Sequence, residues 1–262
     1  MNIQVDPDWW KSLFDEVYLI TDARSVCDEE VTRREVDAIC NLAMLDPFDR
    51  ILDLCGGQGR HSIELAKRGF SRCTVFDYSN VLLQQGRLEA DQSGCHVDFI
   101  QGNATDTKLP AANYDHVLIL GNSLGYLPEA IDDQRIVDEA FRLLTQGGKL
   151  LVDVTDGEVV REQFNSNAWH EIATNIVVCR QRELAENCIR AREIVLCKEQ
   201  GLLRDQTYAI RTYGVNSLRT MATHAGFENI SVQKGFAAHT KNEDYGFMNH
   251  RLLLTARKPI KA

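Results

Sequence analysis

Short apolar segments alternate with helical ones from residue 50 to residue 155, and this rhythm constrains the fold more than any other feature of the chain. RILDLC (50–55), CTVFD (73–77), HVDFIQG (96–102), YDHVLILG (114–121) and KLLVDVT (149–155) each read as a buried strand. Between them, RHSIELAKRGF (60–70), 79–92 and 131–145 repeat apolar residues at helical spacing. Gly69 stops the first of these helices, and Gly147 and Gly148 close the last. Strands that follow one another through helices pair in parallel, so a parallel sheet with helices on both faces is expected.

The flanks differ from this centre. Residues 8–20 and 29–45 carry helical periodicity ahead of the first strand, with Pro47 and Asp49 making the turn between. After 155, residues 168–182 and 187–213 are rich in strand formers with no helix between them, which predicts an antiparallel unit. Helical spacing returns at 215–225, ends at Gly226, and is followed by strands near 228–236 and 248–257. The expected fold class is α/β, with a Rossmann-like, seven-stranded, mostly parallel sheet. Its expected parts are a helical lid (1–48), a core (49–157), an antiparallel β insertion or cap (158–213) and the closing part of the core (214–262).

Composition removes several function classes. A formal net charge of -9 gives no general attraction to nucleic acid. Eight scattered cysteines without a CxxC pair read as reduced thiols of a cytoplasmic protein, and no zinc spacing or HExxH pair is present, so no metal is expected. The N-terminal MNIQVDPDWW lacks the basic and apolar regions of a signal peptide, and no run of about 18 apolar residues suits a membrane span.

The chemistry concentrates in ILDLCGGQGR, Ile51 to Arg60, where a strand runs through glycines into a helix. Glycines let a backbone approach a ligand closely, and a helix start offers free N–H groups. Asp53 stands ahead of those glycines. A carboxylate there suits an ammonium and repels a pyrophosphate. The spacing is D-x-C-x-G-x-G rather than the G-x-G-x-x-G of dinucleotide sites, which argues against a nicotinamide dehydrogenase. Asp77 lies 18 residues after Gly59, where a carboxylate can accept ribose hydroxyls.

With these residues in order, the chain resembles the class I S-adenosylmethionine (SAM)-dependent methyltransferases over about residues 50–155. Their first motif aligns with Asp53, Cys55, Gly57 and Gly59. Cys55 stands where the family has its first glycine, with Gly56 beside it, and a cysteine is expected to fit there if its φ is negative. Asp77, followed by Tyr78, matches the ribose-binding acid. QGNAT (101–105) resembles the segment beside the adenine, with Asn103 and Ala104 at its centre. Asn103 is expected to meet the adenine amino group through its oxygen. LGNSLGYL, containing Leu120, Gly121 and Asn122, resembles the motif after the fourth strand. That stretch, with the N-terminal helices and the cap, also looks like glycine N-methyltransferase and amino-sugar N-methyltransferases. The resemblance implies SAM as cofactor. Arg60 and His61 open the helix after the glycine turn, where either can approach the methionine carboxylate.

The acceptor side is read from position alone. Tyr126 follows the fourth strand at the carboxyl edge of the sheet and is the first catalytic candidate. His170 is a candidate base. Tyr18, Asn122, Tyr126, Arg211 and Tyr213 are candidate substrate contacts, Arg211 as a clamp on a carboxylate. Acids with aromatics in FDEVYLITD and NEDYGF suit a cationic substrate. The expected reaction is methyl transfer to a small molecule, nitrogen favoured over oxygen. A tRNA or protein methyltransferase, and a SAM-binding sensor without transfer chemistry, remain alternatives. A homodimer is expected by analogy with related enzymes.

Overall fold

A computed structural model of the protein describes residues 3–22, 27–172, 174–239 and 246–261. Residues 242–245 of the NEDYGF stretch therefore lie outside the described residues.

The first helical segment is two short helices, α1 (Trp10–Leu13) and α2 (Glu16–Thr21), rather than one. Asp15 separates them, because its carboxylate accepts the N–H groups of Val17 and Tyr18 and so restarts the helix. Helix α3 (Glu29–Ala43) follows, capped in the same way by Asp28.

The core then alternates as expected: β1 (Ile51–Leu54), α4 (Arg60–Lys67), β2 (Cys73–Asp77), α5 (Asn80–Gln92), β3 (Asp98–Gln101), β4 (Tyr114–Ile119), α6 (Ala130–Leu143) and β5 (Leu144–Thr155). A short α7 (Gly157–Glu162) leads into the antiparallel unit of β6 (Asn167–Ile172), β7 (Ile176–Ala185), β8 (Cys188–Cys197) and β9 (Gly201–Arg211). Helix α8 (Val215–Ala225), β10 (Glu228–Phe236), a 3-10 turn (Gly246–Asn249) and β11 (Arg251–Arg257) return the chain to the core.

The main sheet has seven strands in the order β10-β11-β5-β4-β1-β2-β3, parallel except where β11 runs against both its neighbours. Leu52, Leu54, Val117, Ile119 and Leu150 on its central strands are fully buried. One face packs on α3 and α4 through Val36, Ile39 and Leu65. The other packs on α6 and α8 through Ile136, Val137, Leu218 and Ala222. Burial on both faces is why these strands read as continuous apolar runs. Strand order reverses between β1 and β4, and a crevice opens beyond the carboxyl ends of strands at such a point.

The second sheet is a four-stranded meander, β6-β7-β8-β9. Its inner face meets the N-terminal helices through Trp9, Leu13, Ala191 and Tyr208. Arg204 Nη2 donates to the Leu13 carbonyl (3.0 Å), and Gln206 Nε2 donates to Ser12 Oγ (3.0 Å). From the other side, Ser79 Oγ donates to the Phe14 carbonyl (2.6 Å). Helices α1 and α2 thus bridge the crevice and the meander. No helix among the described residues is long and apolar enough to cross a membrane.

Candidate active site

The turn from β1 to α4 forms the floor of the crevice. Gly59 has φ 71°, and a Cβ on it would meet Val75 Cγ2 at 2.7 Å, so only glycine lets the turn lie against β2. A Cβ on Gly56 would stand 2.7 Å from Asp53 Cγ. The Asp53 side chain therefore folds over Gly56. Cys55 does not meet the condition of a negative φ. It sits at φ 62°, in the left-handed region that favours glycine, which costs about 1 kcal/mol or more. Its thiol is pushed well up by burial and then by the Asp77 charge, so it stays protonated and is no nucleophile.

Asp53, Cys55, Gly56, Gly57, Arg60, His61, Asp77, Tyr78, Asn103, Ala104, Leu120 and Gly121 line this crevice, joined by Tyr18 and Tyr126. Gly59 lies beneath it, packed on Val75 and Phe99. Asp77 anchors the turn: Oδ2 accepts from the Gly57 N–H (2.8 Å) and Oδ1 from the Ser79 N–H (2.8 Å). Trp10 closes over the rim, its ring 4.6 Å from that of Tyr78.

Asp53 is the most telling residue. It is fully buried; Oδ2 accepts from Ser62 Oγ (3.1 Å), whereas Oδ1 has no partner among the described residues. Burial pushes its carboxyl up to about 7, against the Ser62 hydrogen bond and the Arg60 charge. An orphaned carboxylate oxygen facing a crevice fits a cationic donor, and the methionine ammonium of SAM is one. The pH dependence follows. The folded pKa lies above the unfolded one, so the ionised carboxylate costs stability as pH rises from about 4 to 7. Ligand ammonium needs that ionised form. Affinity for S-adenosylhomocysteine (SAH) should therefore rise up to about tenfold from pH 6 to pH 7.5, with proton release at pH 6. Calorimetry in two buffers of different ionisation enthalpy measures this release, and a flat profile in wild type would contradict it.

Several expectations change. Arg60 and His61 do line the crevice, but both are committed to Glu35: Arg60 Nη1 donates to Glu35 Oε2, and His61 Nε2 lies 3.0 Å from the same oxygen. Burial, then the Arg60 charge, lowers His61 to about 4, so its ring is neutral. Asn103 Oδ1 already accepts from the Thr105 N–H and hydroxyl (both 3.0 Å), so it is not left open for the adenine amino group.

A second cavity, about 940 Å³ including its open mouth, lies between the core, the N-terminal helices and the meander. Phe14, Tyr18, Arg60, Gly121 and Tyr126 are common to both cavities. Asn122 lines only the second, with Oδ1 accepting from the Thr155 N–H (2.9 Å) and Nδ2 at 3.5 Å from Tyr126 Oη. Burial holds the Tyr126 phenol well above its ordinary range, so it stays neutral and is not a base.

Three acceptor-side candidates fall outside both cavities. Arg211 spends its fork on Asp133 and on the carbonyls of Leu127 (3.2 Å) and Pro128 (2.9 Å), tying β9 to the loop before α6. Tyr213 donates to the same Asp133 and belongs to the core. His170 lies on β6, the edge strand of the meander, paired with Val178. The second cavity brings in Asp22, the last residue of the FDEVYLITD stretch, together with Arg180, Arg182, Glu193, Arg204 and Tyr208, which were not singled out from sequence. A signal existed: Arg180 and Arg182 alternate in CRQRE, so a strand turns both to one face.

Comparisons with known proteins agree with this geometry. A methyltransferase-domain family matches residues 51–148. A ubiquinone/menaquinone biosynthesis C-methyltransferase of Cronobacter sakazakii is 28% identical over 187 residues, covering 70% of this chain and 67% of that one. A SAM-dependent methyltransferase from Clostridium acetobutylicum has a similar structure (TM-score 0.73, 13% identity, 93% of this chain and 97% of that chain). So does a sugar N-methyltransferase from Streptoalloteichus sp. (TM-score 0.70, 16% identity, 99% and 97%). With a methyltransferase domain matched across β1 to β5, and an orphaned carboxylate over a glycine turn in its crevice, this chain is a methyltransferase whose cofactor is SAM.

Proposed function

We propose that this methyltransferase acts on a small molecule held in the second cavity, with nitrogen favoured as the acceptor atom. The observation that carries the reading is the shared wall. Phe14, Tyr18, Arg60, Gly121 and Tyr126 border both cavities, so a molecule in the second would face one in the first. SAM supplies a methyl group already activated on a sulfonium. The protein's task is then alignment and exclusion of water. The lid helices and the aromatic residues at the junction supply both.

Room beside the cofactor crevice argues against a sensor without transfer chemistry. Walls on three sides, together with the charge of -9, argue against a tRNA or a folded protein as acceptor. The relative named as a C-methyltransferase suggests carbon as a rival acceptor atom. The charged lining of Asp22, Arg180, Arg182, Glu193 and Arg204 favours a polar acceptor over a quinone ring. The structural neighbour named as a sugar N-methyltransferase suggests nitrogen. Free cysteines support a reducing, cytoplasmic setting, and a homodimer belongs to the same reading.

Incubation with SAM and separate pools of small amines, phenols and bulk tRNA tests it. SAH is expected to form with a small-molecule pool and not with tRNA. Methylated tRNA and inert small molecules would reverse the reading.

A further inference from the structure

Two carboxylates line the second cavity, and they differ in what they have left to give. Glu193 is almost fully buried with both oxygens used: Oε2 accepts from Arg180 Nε (2.7 Å) and Oε1 from Arg204 Nη1 (3.1 Å). Among the described residues Asp22, just after α2, uses only Oδ2, which accepts from Thr21 Oγ1 (3.0 Å) and Arg180 Nη2 (3.1 Å). Its Oδ1 has no partner among the described residues. Arg180 is itself fixed by Glu193, so it holds Asp22 from the meander side. Arg204 is occupied by the Leu13 carbonyl, Asp15 and Glu193. Arg182 lines the cavity too, so bulk charge does not select the ligand. The open oxygen and its surroundings do.

Those surroundings are aromatic. Phe14, Tyr18, Tyr126 and Tyr208 line the cavity. The Phe14 ring lies 5.1 Å from Tyr18 and 5.4 Å from Tyr126. Burial raises the phenols of Tyr18 and Tyr126, and the nearby Asp22 charge adds to this in both, while the Asn122 hydrogen bond opposes it at Tyr126. The rings are therefore neutral, and Asp22 lines the same cavity as both. A carboxylate with an open oxygen in a cavity lined by aromatic rings is a site for a cationic nitrogen.

We infer that Asp22 anchors the acceptor nitrogen: an amine N–H donates to Oδ1, with Phe14, Tyr18 and Tyr126 around it at the junction of the two cavities. The substrate class is a small primary or secondary amine. The inference rests on the reading of this cavity as the acceptor site. In the transfer, the nitrogen lone pair forms the N–C bond as the methyl carbon–sulfur bond breaks and its electron pair stays on sulfur. The nitrogen is left with one proton too many. Asp22 accepts that N–H in a hydrogen bond until water takes the proton. The reacting amine must be neutral, so the carboxylate orients the nitrogen and steadies the charge that develops on it.

Wild-type, Asp22→Asn and Asp22→Glu proteins separate the outcomes. Each is loaded with SAH and titrated with a set of small amino-alcohols and amino-sugars, following the melting temperature. The same set, and a matched set of phenols, is then assayed with SAM. At least one amine should stabilise and be methylated by the wild type. Asp22→Asn should lose that stabilisation and fall about 10- to 100-fold in kcat/KM, the loss of one charge-assisted hydrogen bond. Asp22→Glu should recover part of the rate, and SAH affinity should stay within about twofold in all three, because Asp22 does not line the cofactor crevice. Equal binding and methylation of amines by wild type and Asp22→Asn would overturn the inference. Methylation of phenols with inert amines would overturn it too, while leaving the small-molecule reading intact. SAH binding with neither class methylated nor bound would overturn both.

Discussion

Asp77→Ala is expected to weaken SAH binding about 100-fold. Each of two ribose hydroxyls bonded to the carboxylate contributes about 1.5 kcal/mol or more, and about 3 kcal/mol is two decades of affinity. The side chain has a second task. Its oxygens accept the N–H groups of Gly57 and Ser79, fixing the glycine turn and the start of α5. Alanine leaves both groups without an acceptor, so the crevice loses its shape as well as a ligand contact. Asp77→Asn keeps one acceptor oxygen and should fall between the two. Calorimetric titration measures all three proteins. A loss under about threefold in Asp77→Ala would contradict the placement of the ribose.

Glu35→Ala should produce the largest loss of stability, about 3–5 kcal/mol, because it strips the central anion from a buried charge network. Glu35 is 2% exposed. It accepts from Arg60 and His61 on α4 and from Arg251 on β11. Arg251 also donates to Asp153 Oδ1 (2.6 Å), and Asp153 Oδ2 accepts the Gly121 N–H (3.1 Å) at the edge of both cavities. Removing Glu35 takes from Arg60 its carboxylate partner and leaves Arg251 with Asp153. Burial works to raise the Glu35 carboxyl, but the guanidiniums of Arg251 and Arg60 outweigh it and hold it well below the usual carboxylate range. A depressed folded pKa means this stabilisation is complete above the unfolded value of about 4.3 and is lost as pH falls toward the folded one. Scanning calorimetry at pH 7 should show a melting temperature lower by about 6–20 °C. Glu35→Gln keeps an acceptor oxygen and should lose less. A drop under about 3 °C in Glu35→Ala would mean that the network does not act as a unit.

What could be read from the sequence was local. The alternation of strands and helices depends on neighbours a few residues apart, and so does the glycine turn with Asp53 ahead of it. Asp77 was reachable because the length of one strand-helix-strand step fixes its distance from Gly59. The acceptor side depends on contacts that no local pattern carries. Arg211 looked like a substrate clamp because its partner, Asp133, lies on α6 and meets it only when β9 docks on the core. His170 was misplaced because β6 is the meander's edge strand, and sheet order is not written in one strand. Asp22 lay within the FDEVYLITD stretch that suits a cation, but its partner Arg180, far along the chain, could not be read from it. Cys55 shows the opposite limit: the motif located it correctly, but a residue's identity does not reveal its φ.

Calorimetric titration of the wild-type protein with SAH, and separately with NAD, tests the central claim most directly. The orphaned Asp53 oxygen, the Asp77 acceptor and the D-x-C-x-G-x-G turn predict binding of SAH in the micromolar range and none of NAD. Binding of NAD with no response to SAH would contradict the account, and would mean that the turn under Asp53 holds a pyrophosphate.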